Sequence, residues 1–579
     1  MIGLNKIGLN QVQLNRLRLN APFPAYGKMA GGGGSGDGFP VLPGDVTRWH
    51  FGGLTNEMMA AMDDPRIEDA DGKGRFLSFK NFAWKGMSGV NGYVQNFNNF
   101  KNNATVDKVR IDEQSSNSIK VTILTTGISN AIYIPKNIYQ FNKSYSIKIS
   151  SEGYNEGDLS LSFYASSVST ATTVKVPLNP NGITEIPAIK EDDFLAVYLN
   201  VGGKVGSITI EQLPLYPGFI LGDGVDDFAV TEKELNFEDT YTVYTAFVPF
   251  QNNPTRNMIL CGADSKKTFS MQYSSLVYVS FIAGNNYYIN ADFVNGLNLF
   301  ACKRNGNNIC IKNLLTNKVV TGTCGDWVEN AGLYYLWKNA TYASFARAGI
   351  AGQIIANGHF TTDEEDENIL NWHKKQYPWL FPNQAWTVVG KTNEDEDRAT
   401  IANITGNGND LVLSNFGFIE GSGYNEEGQY AGYLVTDGVD DKIASSDFKM
   451  GKDFTIVGDW KFIDNKKSGT GLVKGSSFYI YNTMIGLDLY INSGSVKNSL
   501  DGIKSINAAC SDGRAYDRNW NEILANTGNV VGSGGTLEVS SSGGRFDRIA
   551  FKNLAIYPRI LSKDDCIKAY NYLQTLKAK

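Results

Sequence analysis

The sequence predicts an all-β, multidomain protein: three β-sandwiches of jelly-roll type behind an extended N-terminal arm. Three observations carry this. Segments of alternating apolar and polar residues recur along the chain, such as YTVYTAFVPF at 241–250 and FTIVGDWKF at 454–462, the period of strands with one buried face. Glycine is abundant, with 61 residues, and aromatic residues reach 12% against only 19% charged, which suits strands joined by many turns. The chain also repeats itself: GDGVDDFAV at 222–230 matches TDGVDDKIA at 436–444, an offset of 214. The length, 579 residues, accommodates several domains.

A second repeat lies upstream of each copy. DGKGRFLSFKNFAW at 71–84 matches TGNGNDLVLSNFGF at 405–418, an offset of 334, placing Asn81-Phe82 on Asn415-Phe416. From Trp84 to Asp223 is 139 residues and from Phe418 to Asp437 is 19, so the first unit holds about 120 additional residues. That insertion contains SIKVTILT, YSIKISS, LSLSFYASS, TTVKVPL, FLAVYLNV and GSITIEQL, enough alternating segments for a small sandwich of its own. Each copy ends in a helix signal: Thr362 before DEEDENILNWHKKQ and Ser562 before KDDCIKAYNYLQTL, a hydroxyl N-cap followed by carboxylates that complement the helix dipole. The acidic runs 363–367 and 394–397 read as solvated charge.

The first twenty residues are four pentapeptides, MIGLN, KIGLN, QVQLN and RLRLN. Their apolar positions are Ile2, Leu4, Ile7, Leu9, Val12, Leu14, Leu17 and Leu19. Alternation within each unit suits an extended chain with one face against a partner, since four such units cannot bury a core alone. A Gly-rich linker, GGGGSGDG at 31–38, follows. The expected organisation is a docking arm and linker (1–45), a first connector (46–93), the inserted sandwich (94–215), a first jelly roll (216–382), a second connector (383–429) and a second jelly roll (430–579).

The motif φ-x-Asp-Gly-Val-Asp-Asp, present twice, and FDRIAFKNLAIYPRILSKDD at 546–565 resemble the laminin-G-like, concanavalin A-like lectin/glucanase family. The second motif looks like that family's last strand and helix cap. FARAGIAGQIIANGHFTTDEE at 345–365 keeps its spacing without the Asn-Leu-Ala-Ile-Tyr core. The resemblance covers roughly half the chain. It implies paired antiparallel sheets that often carry sugar or protein ligands, with calcium in some members. The inserted segment resembles the jelly-roll carbohydrate-binding modules attached to glycan-degrading enzymes.

Candidate chemistry is sparse. Asp223, Asp226 and Asp227, and again Asp437, Asp440 and Asp441, form acidic triplets. They offer part of a Ca2+ shell, which takes six to eight oxygens, or they form a tight turn in which Asp accepts backbone hydrogen bonds and Gly224 or Gly438 takes positive φ; the turn is favoured. Tyr287, Tyr288 and Trp520 are candidates for stacking on sugar rings, with packing inside a sandwich the favoured alternative. The three histidines, His50, His359 and His373, are far apart in sequence, leaving little material for a histidine metal site or catalytic triad. Glucanases of this fold carry Glu-x-Asp-x-x-Glu on one strand, and no such segment occurs, nor Gly-x-Ser-x-Gly or His-Glu-x-x-His; no enzyme activity is expected.

The net charge is −6, which disfavours a nucleic-acid binder, and no apolar stretch approaches a membrane span. No secretory signal is read in the N-terminal repeat, because Asn interrupts every apolar run. Six cysteines without a Cys-x-x-Cys pair read as buried free thiols. The layout of arm, hinge and sandwiches resembles head-fibre, tail-fibre and decoration proteins of phages infecting gut Bacteroides, including crAss-like phages. The expectation is a non-enzymatic structural protein of the virion surface, assembled in the host cytoplasm. Its partners would be capsid or tail proteins through the arm, host or mucosal glycans, and sister chains in a trimer. A bacterial surface carbohydrate-binding adhesin and, more remotely, a glycan-active enzyme are the rival expectations.

Overall fold

A computed structural model describes residues 39–578 apart from 142, 166–173, 190, 192–193, 251–256, 262–268, 274–275, 284, 293–296, 328–329, 339–344, 406–407, 464–469, 475–477, 483–485, 492–497, 502–505, 525–532, 540 and 543–544. The apolar positions of the N-terminal repeat, Ile2 to Leu19, lie outside the described residues.

The architecture is all β and multidomain, with three sandwiches of antiparallel sheets. In the first, one eight-stranded sheet centres on Thr240–Pro249 and Ala348–Asn357, and a second eight-stranded sheet faces it. The last sandwich repeats this plan around Thr455–Phe462 and Ile549–Tyr557. The inserted segment forms two five-stranded sheets over its own core of Val121, Ile132, Ile147, Phe163, Val197 and Ile208.

The connectors are not linkers between sandwiches; they supply strands to both sheets. Asp45–His50 pairs along Ala348–Asn357, from Asp45 opposite Asn357 to His50 opposite Gly352. Phe76–Lys80 pairs with Phe228–Thr231 in the facing sheet. Gln384–Thr387 and Leu411–Ser414 take the equivalent places in the last sandwich. Burial explains this: Trp49, Leu77 and Phe79 have almost no exposed surface, and large apolar side chains of this kind stabilise by about 1.5–3 kcal/mol each when covered.

The insertion joins the first sandwich through a narrow neck. The fully buried Gln212 accepts the backbone N–H of Val94 (3.1 Å) and of Gln95 (2.8 Å) through Oε1. Tyr216 N–H then donates to Asn91 O at 2.8 Å. The two chain ends of the insertion therefore lie side by side, which is how a loop accepts a whole domain without disturbing its host.

Among the described residues three α-helices accompany the sheets: α1 (Asn56–Ala60), α2 (Asp363–Gln376) and α3 (Lys563–Thr575). Thr362 and Ser562 cap α2 and α3 by accepting the N–H of Glu365 and Asp565, and Thr362–Glu365 closes a capping box. Solvated charge is too simple a reading of the run opening α2. Asp366 is 1% exposed. Its carboxylate takes Lys303 Nζ at 2.7 Å, Tyr244 OH at 2.8 Å and Thr361 Oγ1 at 3.0 Å. Asp363, three residues earlier on the same side of the helix, is exposed at its first position, and both carboxylates meet Lys312, at 2.5 and 3.2 Å.

α3 meets all three sandwiches. Tyr570 OH donates to Glu185 Oε2 of the insertion at 2.8 Å, and Tyr572 OH accepts Leu297 N–H of the first sandwich at 2.7 Å. Beside the helix, Tyr557 OH donates to Trp379 O at 2.8 Å. One continuous hydrophobic core runs through this junction, including Tyr216, Trp372, Trp379, Trp520, Tyr557 and Leu573.

The buried ion pair gives a direct test. Asp366→Ala leaves the Lys303 ammonium buried without its partner, and the unfolding free energy should fall by about 3–5 kcal/mol, read from the urea midpoint. Asp363→Ala removes an exposed carboxylate that pairs with Lys312 and should cost no more than about 1 kcal/mol.

Candidate functional site

Each Asp-Gly-Val-Asp-Asp motif is the corner at which the chain leaves one sheet and enters the other. In the first sandwich it links Ile220–Leu221 to Phe228–Thr231, and in the last Tyr433–Val435 to Lys442–Met450. The two corners are built alike. Asp223 Oδ1 accepts Val225 N–H at 2.7 Å, as Asp437 Oδ1 accepts Val439 N–H at 2.7 Å. Asp227 Oδ2 accepts Asp223 N–H at 3.0 Å, as Asp441 Oδ2 accepts Asp437 N–H at 2.7 Å. The upstream repeat closes over the corner: Asn81 Nδ2 donates to Asp226 O and Asn415 Nδ2 to Asp440 O, both at 3.1 Å. In the second copy Ser422 Oγ also donates to Asp441 Oδ1 at 3.0 Å.

A further pair of residues, which sequence reasoning passed over, completes the clamp. Asn56 accepts Val90 N–H at 2.7 Å and donates to Val90 O at 3.3 Å. Asn393 makes the same two bonds to Tyr424, both at 2.8 Å. Gly89 and Gly423 sit against these amides. A Cβ at either would lie 2.4 Å from the asparagine oxygen, so only glycine fits. The signal was Thr-Asn-Glu at 55–57 and 392–394.

Within each triplet the carboxylate oxygens lie within 4.8 Å of one another. Asp227 is 1% exposed, and burial pushes its carboxyl up to about 7; burial likewise pushes Asp441 up to about 6. Neighbouring Asp223 and Asp437 push the same way, while the backbone N–H donors oppose. Three carboxylates would provide half or less of the oxygens calcium takes, and oxygens of two of them in each triplet already receive backbone N–H groups. The donor set fits a hydrogen-bonded corner better than a calcium shell.

Two histidines distant in sequence do come together. His50 Nε2 and Tyr377 OH are 2.7 Å apart, and the His373 ring stacks on Tyr377. Burial, with His50 nearby, pushes His373 down to about 3, so its imidazole is neutral. The group joins the strand Asp45–His50 to the end of α2 and lies inside the core, where it binds structure to structure.

Two clefts open at the junction. One, of about 200 Å³, lies between the first and last sandwiches and is lined by Leu297, Leu370, Leu380, Ile404 and Arg559 among others. The other, of about 430 Å³, lies between the outer face of the insertion and the last sandwich, walled by Lys148, Asn181, Trp520, Asn521, Lys563 and Asn571. Between them the two clefts are lined by one carboxylate, Asp564, whereas glycoside hydrolysis ordinarily needs two.

The expected stacking residues fare differently. Trp520 is 3% exposed and takes an edge-on contact from Tyr570, with Tyr516 also beside it. Its ring faces are therefore covered and cannot platform a sugar, because the turn at Trp520 folds the indole inward against α3. Tyr287 and Tyr288 lie on the strand Asn285–Ala291; their side chains are outside the described residues.

No protein-family model and no curated protein matches the sequence. Solved structures do. The binding domain of Paraclostridial Mosquitocidal Protein 1 aligns at 10% identity over 56% of this chain and 86% of that one, with a TM-score of 0.26. A botulinum neurotoxin type C structure, whose description ties cell entry to two ganglioside molecules, aligns at 9% over 60% and 85%, TM-score 0.26. The exoplasmic/lumenal domain of VIP36, in a form bound to Ca2+ and Man3GlcNAc, aligns at 10% over 27% and 87%, TM-score 0.19. Likenesses at these scores carry no weight for function.

The corner carboxyls predict a pH response. Their folded pKa values, about 7 and about 6, lie above the ordinary aspartate value of about 3.9. The stability they contribute is complete below that value and is lost as pH rises through 6 and then 7. Asp227→Asn should therefore melt several degrees above the parent at pH 8, on the order of 1–3 kcal/mol, and match it near pH 4; calorimetry at both pH values decides, and a gap independent of pH would refute the assignment. Millimolar calcium should leave the parent's melting temperature within about 1 °C, since a ligand bound only by the folded state would raise it.

Proposed function

We propose that this chain is a non-enzymatic structural protein of a phage virion surface, a head fibre, tail fibre or decoration protein. Its N-terminal arm anchors it to capsid or tail, and its sandwiches are displayed for attachment to host or mucosal glycans. The observation that carries the reading is the contrast between the two parts of the chain. The described residues form sandwiches joined through α3 into one packed body. Ahead of it stand eight regularly spaced apolar residues, Ile2 to Leu19, which need an external surface to cover them.

Two features support a binding role. The clefts at the junction lack a carboxylate pair, and the acidic triplets are engaged in holding corners. Cys302, Cys310, Cys324, Cys510 and Cys566 are free thiols, in keeping with folding in a reducing host cytoplasm. Among the described residues no helix is long and apolar enough to cross a membrane. Assembly as a trimer, with three arms sharing one docking site, belongs to the same proposal.

The test is deletion of residues 1–20 in the producing phage. The shortened chain should keep the parent's melting temperature yet be missing from purified particles. Particles that carry it at the parental level would overturn the anchoring role, and measurable hydrolysis of a polysaccharide by the full chain would overturn the non-enzymatic one.

A further inference from the structure

We propose that the cleft between the insertion and α3 binds a saccharide that carries a carboxylate. This deepens the glycan-attachment part of the proposed function and rests on it.

The cleft is built from two separately folded walls. The insertion contributes the outward face of the strand Tyr145–Glu152, where Lys148 and Ser150 are exposed while Ile147 and Ile149 point into its core. The last sandwich contributes the Trp520 turn and one face of α3, with Lys563, Ile567 and Asn571 at helical spacing. The Tyr570–Glu185 hydrogen bond fixes the walls together beside it. At about 430 Å³ the space falls within the range of about 300–1,000 Å³ typical of small-ligand pockets.

The lining points to the ligand. Asn571 is 5% exposed and Trp520 3%, both line the cleft, and among the described residues neither the Asn571 amide nor the Trp520 indole N–H has a hydrogen-bond partner in the protein. Polar groups at a cleft wall that make no hydrogen bond within the protein are available to fix the orientation of a ligand there. Asn181 and Asn521 add amides at the rim. Neutral amides and an indole N–H match hydroxyl groups, and Ile567 with Pro214 offers apolar surface for the C–H face of a pyranose. Three lysines, Lys148, Lys563 and Lys568, stand against one aspartate, Asp564. Lys568 already has Asp565 at 3.6 Å, whereas Lys148 and Lys563, on opposite walls, are in no ion pair among the described residues. A carboxylate on the sugar would lie between them. Trp520 thus returns to glycan recognition by its N–H edge, its faces being covered.

Calorimetric titration of the full chain at low salt tests this with digalacturonic acid and 3′-sialyllactose as acidic probes, lactose as the neutral one and a Glu-Glu dipeptide as the non-sugar acid. At least one acidic saccharide should bind, with lactose and the dipeptide at least tenfold weaker. The double variant Lys148→Gln/Lys563→Gln should lose at least tenfold for the acidic saccharide. Asn571→Leu should weaken binding as much while keeping or raising the melting temperature, which separates a lost ligand contact from a damaged fold. Absence of heat with both acidic saccharides, equal binding of lactose or the dipeptide, or variants that bind like the parent would overturn the proposal. Failure here with arm-dependent incorporation into particles intact would remove the cleft and leave the display role standing; the reverse pattern would remove the virion role alone.

Discussion

The arrangement of the three sandwiches depends on one helix face that carries polar tips at two places. Tyr570 and Tyr572 of α3 are both buried, yet their hydroxyls reach different domains, Glu185 in the insertion and Leu297 N–H in the first sandwich. A buried phenol needs a hydrogen-bond partner, so each hydroxyl sets direction where apolar contact alone would set only proximity. The helix cannot rotate or slide without stranding at least one of them. The cleft beside α3 inherits its shape from that constraint, because its two walls belong to domains that the chain connects only by way of the first sandwich and the neck at Gln212.

The same logic recurs at smaller scale. Asp366 draws Lys303, Tyr244 and Thr361 onto one buried carboxylate and so fixes α2 on its sheet. At each sheet-to-sheet corner, an asparagine from the upstream repeat and an aspartate from the motif hold backbone groups that would otherwise go unpaired. Buried polar groups of this kind are costly when half satisfied and specifying when fully satisfied. The sandwiches rely on apolar area for stability and on these few polar contacts for alignment.

Much of this was legible in the sequence. Strand alternation, the offset of 214 between motifs and the capped terminal helices all follow from local pattern, and local pattern is what a sequence displays. The long spacing between Trp84 and Asp223 likewise exposed the insertion. What stayed hidden was pairing across distance. That Asn81 closes on Asp226 needed the sheets to bring residues 145 positions apart together. The Asn56 and Asn393 clamp escaped because its offset is 337 while the neighbouring repeat runs at 334, so a three-residue slip hides it from a fixed-register comparison. Trp520 could be placed near a turn, but which way an aromatic faces depends on α3, which follows in the chain by more than forty residues. The cleft has no linear signature, because its walls come from segments near 148, 181, 520 and 571.

The first described strand has a mechanical consequence. Asp45–His50 lies antiparallel along Ala348–Asn357, with six residue pairs in register, and the chain ahead of it leads to the arm. A pull through the arm along the strand axis acts at right angles to those backbone hydrogen bonds and loads all six pairs in shear at once. A strand attached the other way round, perpendicular to the force, would unzip one pair at a time. A body tethered through this edge would resist drag as a unit, with the first element of the fold serving also as its grip.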